Sequence, residues 1–168
     1  MKCFRIIMTG KYLLVACCII ITSCNKEEKK FDEFLQASYH EMKYITERGG
    51  AMCTDYAYAW VSLRNSRSDE YIFDFVKKHH NEKGYIDSID YHKKYLSIYT
   101  SQLDKTLDSR KDCFKDYMEM YMKTIELARL AESPGGSINY FATHAASTLE
   151  DLKKDQKRFE EKYKDFLH

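Results

Sequence analysis

FDEFLQASYHEMKYITERGGAMCTDYAYAWVSL, residues 31–63, contains no proline and repeats one spacing throughout. Phe31, Leu35, Ser38, Met42, Ile45, Gly49, Met52, Tyr56, Ala59 and Leu63 follow one another at alternating steps of four and three. That is the seam of a helix packed lengthwise against other helices. The phase does not slip at Gly49-Gly50, so the pair belongs inside the helix. Two mid-helix glycines cost about 1 kcal/mol each relative to Ala. Close approach of a neighbouring helix at Gly49 offsets part of that cost, and a kink, hinge or ligand contact is the sharper alternative.

The same pattern continues outward. Asn65-Ser66-Arg67-Ser68 reads as a loop, with Ser68 capping a short helix that buries Ile72, Phe75, Val76 and His79 and stops before Gly84. Asp87 is the expected cap of the next helix. Its stripe is Ile89, His92, Leu96, Tyr99, Leu103, Leu107, Arg110, Phe114, Tyr117, Tyr121, Ile125 and Ala128. The step from Leu103 to Leu107 is irregular: either one helix of roughly 70 Å runs through it, or the helix breaks near Asp108-Ser109. Ser133-Pro134-Gly135-Gly136 is the clearest turn. Ser137 then caps a last helix with Ile138, Ala142, Ala145, Leu149, Leu152, Gln156, Phe159, Tyr163 and Phe166 on its seam. No strand alternation and no fixed-period repeat is visible. The expected fold is all-α, an antiparallel helical bundle with coiled-coil-like seams.

The N-terminus carries an address. Lys2, Arg5 and Lys11 precede the apolar run Tyr12–Ile21, which is too short for the about 20 residues of a membrane-spanning helix. Ile21-Thr22-Ser23-Cys24 follows. These residues resemble the lipobox of bacterial lipoproteins: an aliphatic residue, two small ones, then a Cys. The resemblance implies lipidation of Cys24 and cleavage after Ser23. Lys26-Glu27-Glu28, just beyond, looks like the surface-export signal of Bacteroidota lipoproteins, with an ordinary solvated charge run as the alternative. Residues 1–23 are then a signal peptide, 24–30 a short tether and 31–168 the bundle. An extended tether of that length reaches at most roughly 25 Å. The implied location is the outer membrane, on the cell surface or the periplasmic face, with the membrane engaged through the lipid on Cys24.

Composition narrows the function. The leader holds three of the 27 basic residues and none of the 26 acidic ones, leaving the mature chain near neutral, with no electrostatic footprint for nucleic acid. Of the six cysteines, three leave with the leader and Cys24 is the lipid site. Cys53 and Cys113 remain. In an oxidising compartment they are a candidate disulfide, and two separate buried thiols are the alternative.

No catalytic constellation is legible. HExxH, ExxH, EF-hand, P-loop and GxSxG patterns are all absent. His79-His80 with Glu82 reads as a solvated helix end and His92 as a core histidine, so no metal and no cofactor is expected. Asp69-Glu70 and Glu160-Glu161 are sequence neighbours, which do not face each other on a helix. The expectation is a non-enzymatic protein. The chain has 14 tyrosines, and Tyr58, Trp60 and Arg64 form a candidate binding patch, since such residues anchor interfaces; a wide buried face is the alternative. The leading expectation is an envelope interaction protein that binds an envelope or secreted protein, in one version blocking a toxin. A surface glycan or small-molecule binder and a structural spacer are the alternatives.

Overall fold

The computed structural model describes residues 7–103 and 110–167, with side chains from residue 26 onward. Six helices follow in order: α1 (Ile7–Leu63), α2 (Asp69–Glu82), α3 (Tyr85–Leu103), α4 (Lys111–Glu132), α5 (Ile138–Lys162) and α6 (Lys164–Leu167). No strand occurs among the described residues. The fold is the all-α bundle that the seams predict.

α1 is the central element and touches every other helix. Phe31, Leu35, Ser38, Met42, Ile45, Gly49, Met52 and Tyr56 are all buried, so the seam is real over eight consecutive positions. α1 also extends through residues 24–30, where a tether in front of Phe31 is the expectation. Lys26, Glu27, Glu28, Lys29 and Lys30 are good helix formers and no breaker separates them from Phe31. Their side chains are exposed or half-exposed, and burial begins at Phe31. Residues 24–30 are therefore helical and advance about 10 Å, less than half their extended reach.

α3, α4 and α5 run alternately down, up and down beside α1. Descending α3 pairs its Ser88 with Tyr44, its His92 with Glu41 and its Tyr99 with Phe34. Ascending α4 starts with Arg110 on Asp32 at 3.1 Å and ends with Ala131 accepting a hydrogen bond from Tyr56 Oη at 3.3 Å. Descending α5 packs Phe141 perpendicular to the Tyr56 ring and later accepts a bond from Tyr39 Oη at the Gln156 carbonyl, 3.3 Å away. Thr46, in turn, accepts from Gln156 Nε2 at 2.9 Å, so this buried amide is satisfied.

Residues 104–109, including Leu107 and Asp108-Ser109, lie outside the described residues. The question of one long helix is nevertheless closed by Tyr117, whose hydroxyl lies 2.6 Å from Thr100 Oγ1. A single helix would separate those residues by about 25 Å. The chain turns back, and α3 and α4 are antiparallel.

Three helices differ from expectation in particular positions. α4 buries Cys113, Tyr117, Met120, Thr124, Leu127, Ala128 and Ala131, leaving Phe114, Tyr121 and Ile125 half-buried on its shoulder. The buried face of α4 mixes small residues with Tyr117, Met120 and Leu127, and Phe114, Tyr121 and Ile125 cover its edges. α2 buries Ile72, Phe73, Val76 and His80, while Phe75 is 55% exposed and His79 faces solvent. α3 begins at Tyr85 with Ser88 N–H donating to the Gly84 carbonyl, which places Asp87 in the first turn instead of at the cap. Ser68 and Ser137 do cap α2 and α5, and Gly84 sits at φ +68° beyond the end of α2.

Gly49 and Gly50 are where α1 meets its neighbours most closely. A Cβ on Gly49 would lie 3.6 Å from Leu127 Cγ, and one on Gly50 would lie 2.9 Å from both methyls of Leu149. The glycines admit α4 and α5 on adjacent faces of α1. That is the close-approach expectation, and the helix continues through both residues.

Candidate functional site

The end of the bundle remote from Cys24 is built around Tyr56. Phe73 of α2, Phe141 of α5 and His80 of α2 pack edge-on against its ring at 5.9, 5.6 and 5.2 Å. Above this layer α1 ends, α2 begins and α5 begins. Tyr58, Val61, Tyr71, Phe75 and Tyr140 lie on those three segments and are 71%, 62%, 45%, 55% and 66% exposed. Tyr71 and Phe75 are one turn apart on α2, their rings stacked at 6.3 Å, and the Arg67 guanidinium lies 5.0 Å over Tyr71. Large apolar groups in water at one end of a domain are the usual mark of a contact surface.

Trp60 and Arg64 do come together, with the guanidinium 5.1 Å over the indole. Tyr58 does not join them. Two residues along a helix turn the side chain by about 200°, so Tyr58 projects from the other side of α1. Trp60 is also half-buried against the core, and its Nε1 donates to Asp69 Oδ1 at 2.9 Å. The indole ties the end of α1 to the first turn of α2. Arg64 covers it. Of the three expected patch residues, Trp60 and Arg64 stand together and Tyr58 stands apart.

No family model matches the chain, and neither a curated protein nor a solved structure matches it.

Cys53 and Cys113 are both free and buried. Cys113 lies among Arg110, Asp32 and Asp116, whereas Cys53 borders Gly50, Ala142 and Leu149. Asp32 and Cys53 are 21 residues apart on one helix, about 30 Å. The disulfide expectation fails on that distance, and the alternative of two buried thiols holds. Burial pushes both thiols up to about 12, so neither is a nucleophile at neutral pH.

Tyrosines line the α1–α3 seam, and of the three on α3 beyond its first turn only Tyr99 is on the expected stripe. Tyr91, Tyr95 and Tyr99 form a ladder with ring spacings of 4.7 and 6.2 Å that meets Phe34 at 6.4 Å. Beside it Tyr44 stacks on His92 at 3.6 Å, and Arg48 lies 4.2 Å over Tyr85. Their spacing of four along α3 was the readable signal. His92 bonds Glu41 at this seam and is partly buried, in keeping with a structural histidine.

No group of three metal-binding side chains gathers among the described residues. An open groove of about 790 Å³ runs along α1 beside Glu33, Gln36, His40 and Lys43. Lys43 there is already paired with Glu160 at 3.0 Å. Among the described residues no helix is long and apolar enough to cross a membrane.

Proposed function

We propose that this chain is a lipid-anchored envelope protein that binds another protein with the end of its bundle remote from Cys24. The observation that carries this reading is that Tyr58, Val61, Tyr71, Phe75 and Tyr140, five of the eight exposed large hydrophobic side chains among the described residues, lie on the segments at that end. Two further features support it. Ile21-Thr22-Ser23-Cys24 has the form of a lipidation site. From Cys24 to Leu63 the chain is one helix, about 58 Å long. A lipid at Cys24 would present the aromatic end at roughly that height above the bilayer, where an arriving protein meets it first. An immunity-type role, blocking a toxin that reaches the envelope, is one version.

The test is a photo-crosslinking amino acid introduced at Phe75 in native envelopes, with Met122 on the flank as control. A discrete adduct at Phe75 and none at Met122 is expected. Equal labelling, or none at either site, overturns the assignment. Cys24→Ala tests the anchor: retention in carbonate-washed membranes would refute it.

A glycan-binding reading draws support from the stacked Tyr71 and Phe75 rings, since sugars lie flat on such surfaces. Sugar-induced shifts of the Tyr71 and Phe75 ring resonances would favour it. The spacer alternative needed an unbroken third helix, and the antiparallel return at Thr100 and Tyr117 removes that support.

A further inference from the structure

His80 is fully buried, in the last turn of a helix that otherwise faces solvent on one side. Its Nε2 lies 3.1 Å from Asp55 Oδ2. Its Nδ1 is buried with no hydrogen-bond partner. With Nε2–H donating to Asp55, Nδ1 is the bare nitrogen of a neutral ring. Adding a proton there creates an N–H donor with no acceptor, inside an aromatic box.

We propose that His80 is an acid-operated release for α2: its protonation unseats the C-terminal end of α2 from α1 and α3. The groups facing the ring explain why a cation is not tolerated. From α1 come Asp55 and the Tyr56 ring, perpendicular to the imidazole at 5.2 Å. From α3 comes Tyr85 at 5.9 Å, itself covered by Arg48 of α1 at 4.2 Å. From its own end of α2 come His79 at 6.3 Å and Lys83, which adds like charge. Asp55 attracts the cation, but its side chain is 55% exposed and water screens it. The helix C-terminus also favours a cation. Burial outweighs both and holds the ring below its ordinary range.

The sign follows. Unfolded or undocked, the ring titrates near 6.5. Docked, it titrates lower. The undocked form therefore takes up the proton first. Docking is complete above about pH 6.5 and is lost as pH falls toward the docked value. Each pH unit of depression is worth about tenfold in the closed-to-open ratio. α2 is suited to such a response because it packs mainly on α1 and α3, with the Phe73 ring on Phe141 of α5 at 5.5 Å as a further contact. Its release would uncover Tyr56 and Phe141 and move Tyr71 and Phe75 with it.

The test is hydrogen exchange of the full-length chain in detergent at pH 7 and pH 5, corrected for the intrinsic rate. Expected is a severalfold fall in protection across residues 69–82 with α4 unchanged, abolished in His80→Phe and retained in His79→Gln. A flat wild-type profile overturns the proposal, as does the same fall in His80→Phe or its loss in His79→Gln. Should His80→Phe fail to fold, the wild-type imidazole resonances decide: a His80 ring that titrates at 6.5 or above in the docked state overturns it, and one that stays neutral until α2 opens supports it.

Discussion

Gly49→Ala should stabilise the protein, and Gly50→Ala should not, although the two residues are adjacent on one helix. Both substitutions gain about 1 kcal/mol of helix propensity. At Gly49 the new methyl meets Leu127 Cγ at 3.6 Å, the Leu127 carbonyl at 3.7 Å and Ala131 Cβ at 3.8 Å, all ordinary contacts. Nothing has to move, so the gain survives. At Gly50 the methyl would stand 2.9 Å from Leu149 Cδ1 and Cδ2. Leu149 is half-exposed and can rotate away. Leaving its preferred rotamer costs about 0.5–1.5 kcal/mol, which cancels the propensity gain. With a urea slope of about 2 kcal/mol per M, Gly49→Ala raises the midpoint by about 0.5 M. Gly50→Ala leaves the midpoint within about 0.25 M of wild type. In a Leu149→Ala background the obstruction is gone, and Gly50→Ala should then stabilise by about 1 kcal/mol. Equilibrium urea unfolding followed by far-UV circular dichroism measures all four. A lowered midpoint for Gly49→Ala, or a Gly50→Ala effect that ignores Leu149, would refute this account of the helix contacts.

The remaining predictions are shorter. Under native, non-reducing conditions Cys53 and Cys113 should stay as thiols and react slowly with a maleimide, and dithiothreitol should leave the unfolding midpoint unchanged; a stability loss on reduction would overturn the separation argued from α1. Tyr117→Phe removes the hydroxyl that joins α4 to Thr100 and should cost about 1 kcal/mol with the fold retained; no change in the urea midpoint would show that the bond contributes nothing. Glu126 is held down to about 2, first by Arg129 and then by His144. A carboxylate depressed in the folded state contributes stability that is complete above its unfolded value near 4.3 and fades as pH falls toward 2. Glu126→Gln should therefore flatten the acid limb below pH 4 and leave the region near pH 6 alone, as urea midpoints across that range would reveal.

The course of α1 was legible because nothing interrupts its pattern: one seam position recurs ten times and no proline intervenes. The phases of α2 and α4 were less legible for a shared reason. Where two candidates stand side by side, as Phe73 with Phe75, His79 with His80, or Cys113 with Phe114, the larger or more familiar residue is an unreliable guide to the interior. The phase of α4 was set by how Leu127 and Ala131 lie on Gly49, and that of α2 by how it crosses α1. Neither constraint exists until the helices are brought together. That Tyr58 stands apart from Trp60 and Arg64 follows from helical spacing alone, whereas the bond from Trp60 to Asp69 was not legible in the sequence. Cys53 and Cys113 could be placed only once α4 was known to start beside Asp32.

The central position of α1 also orders events in time. Its seam is roofed by residues synthesised long after it: Tyr39 and Thr46 wait for Gln156, and Gly50 for Leu149. A chain stopped at the Ser133–Gly136 turn would carry the longest apolar stripe of the molecule with one wall missing. The native bundle is therefore assembled after the chain is complete. Until then α1 is the segment most in need of shelter from other proteins.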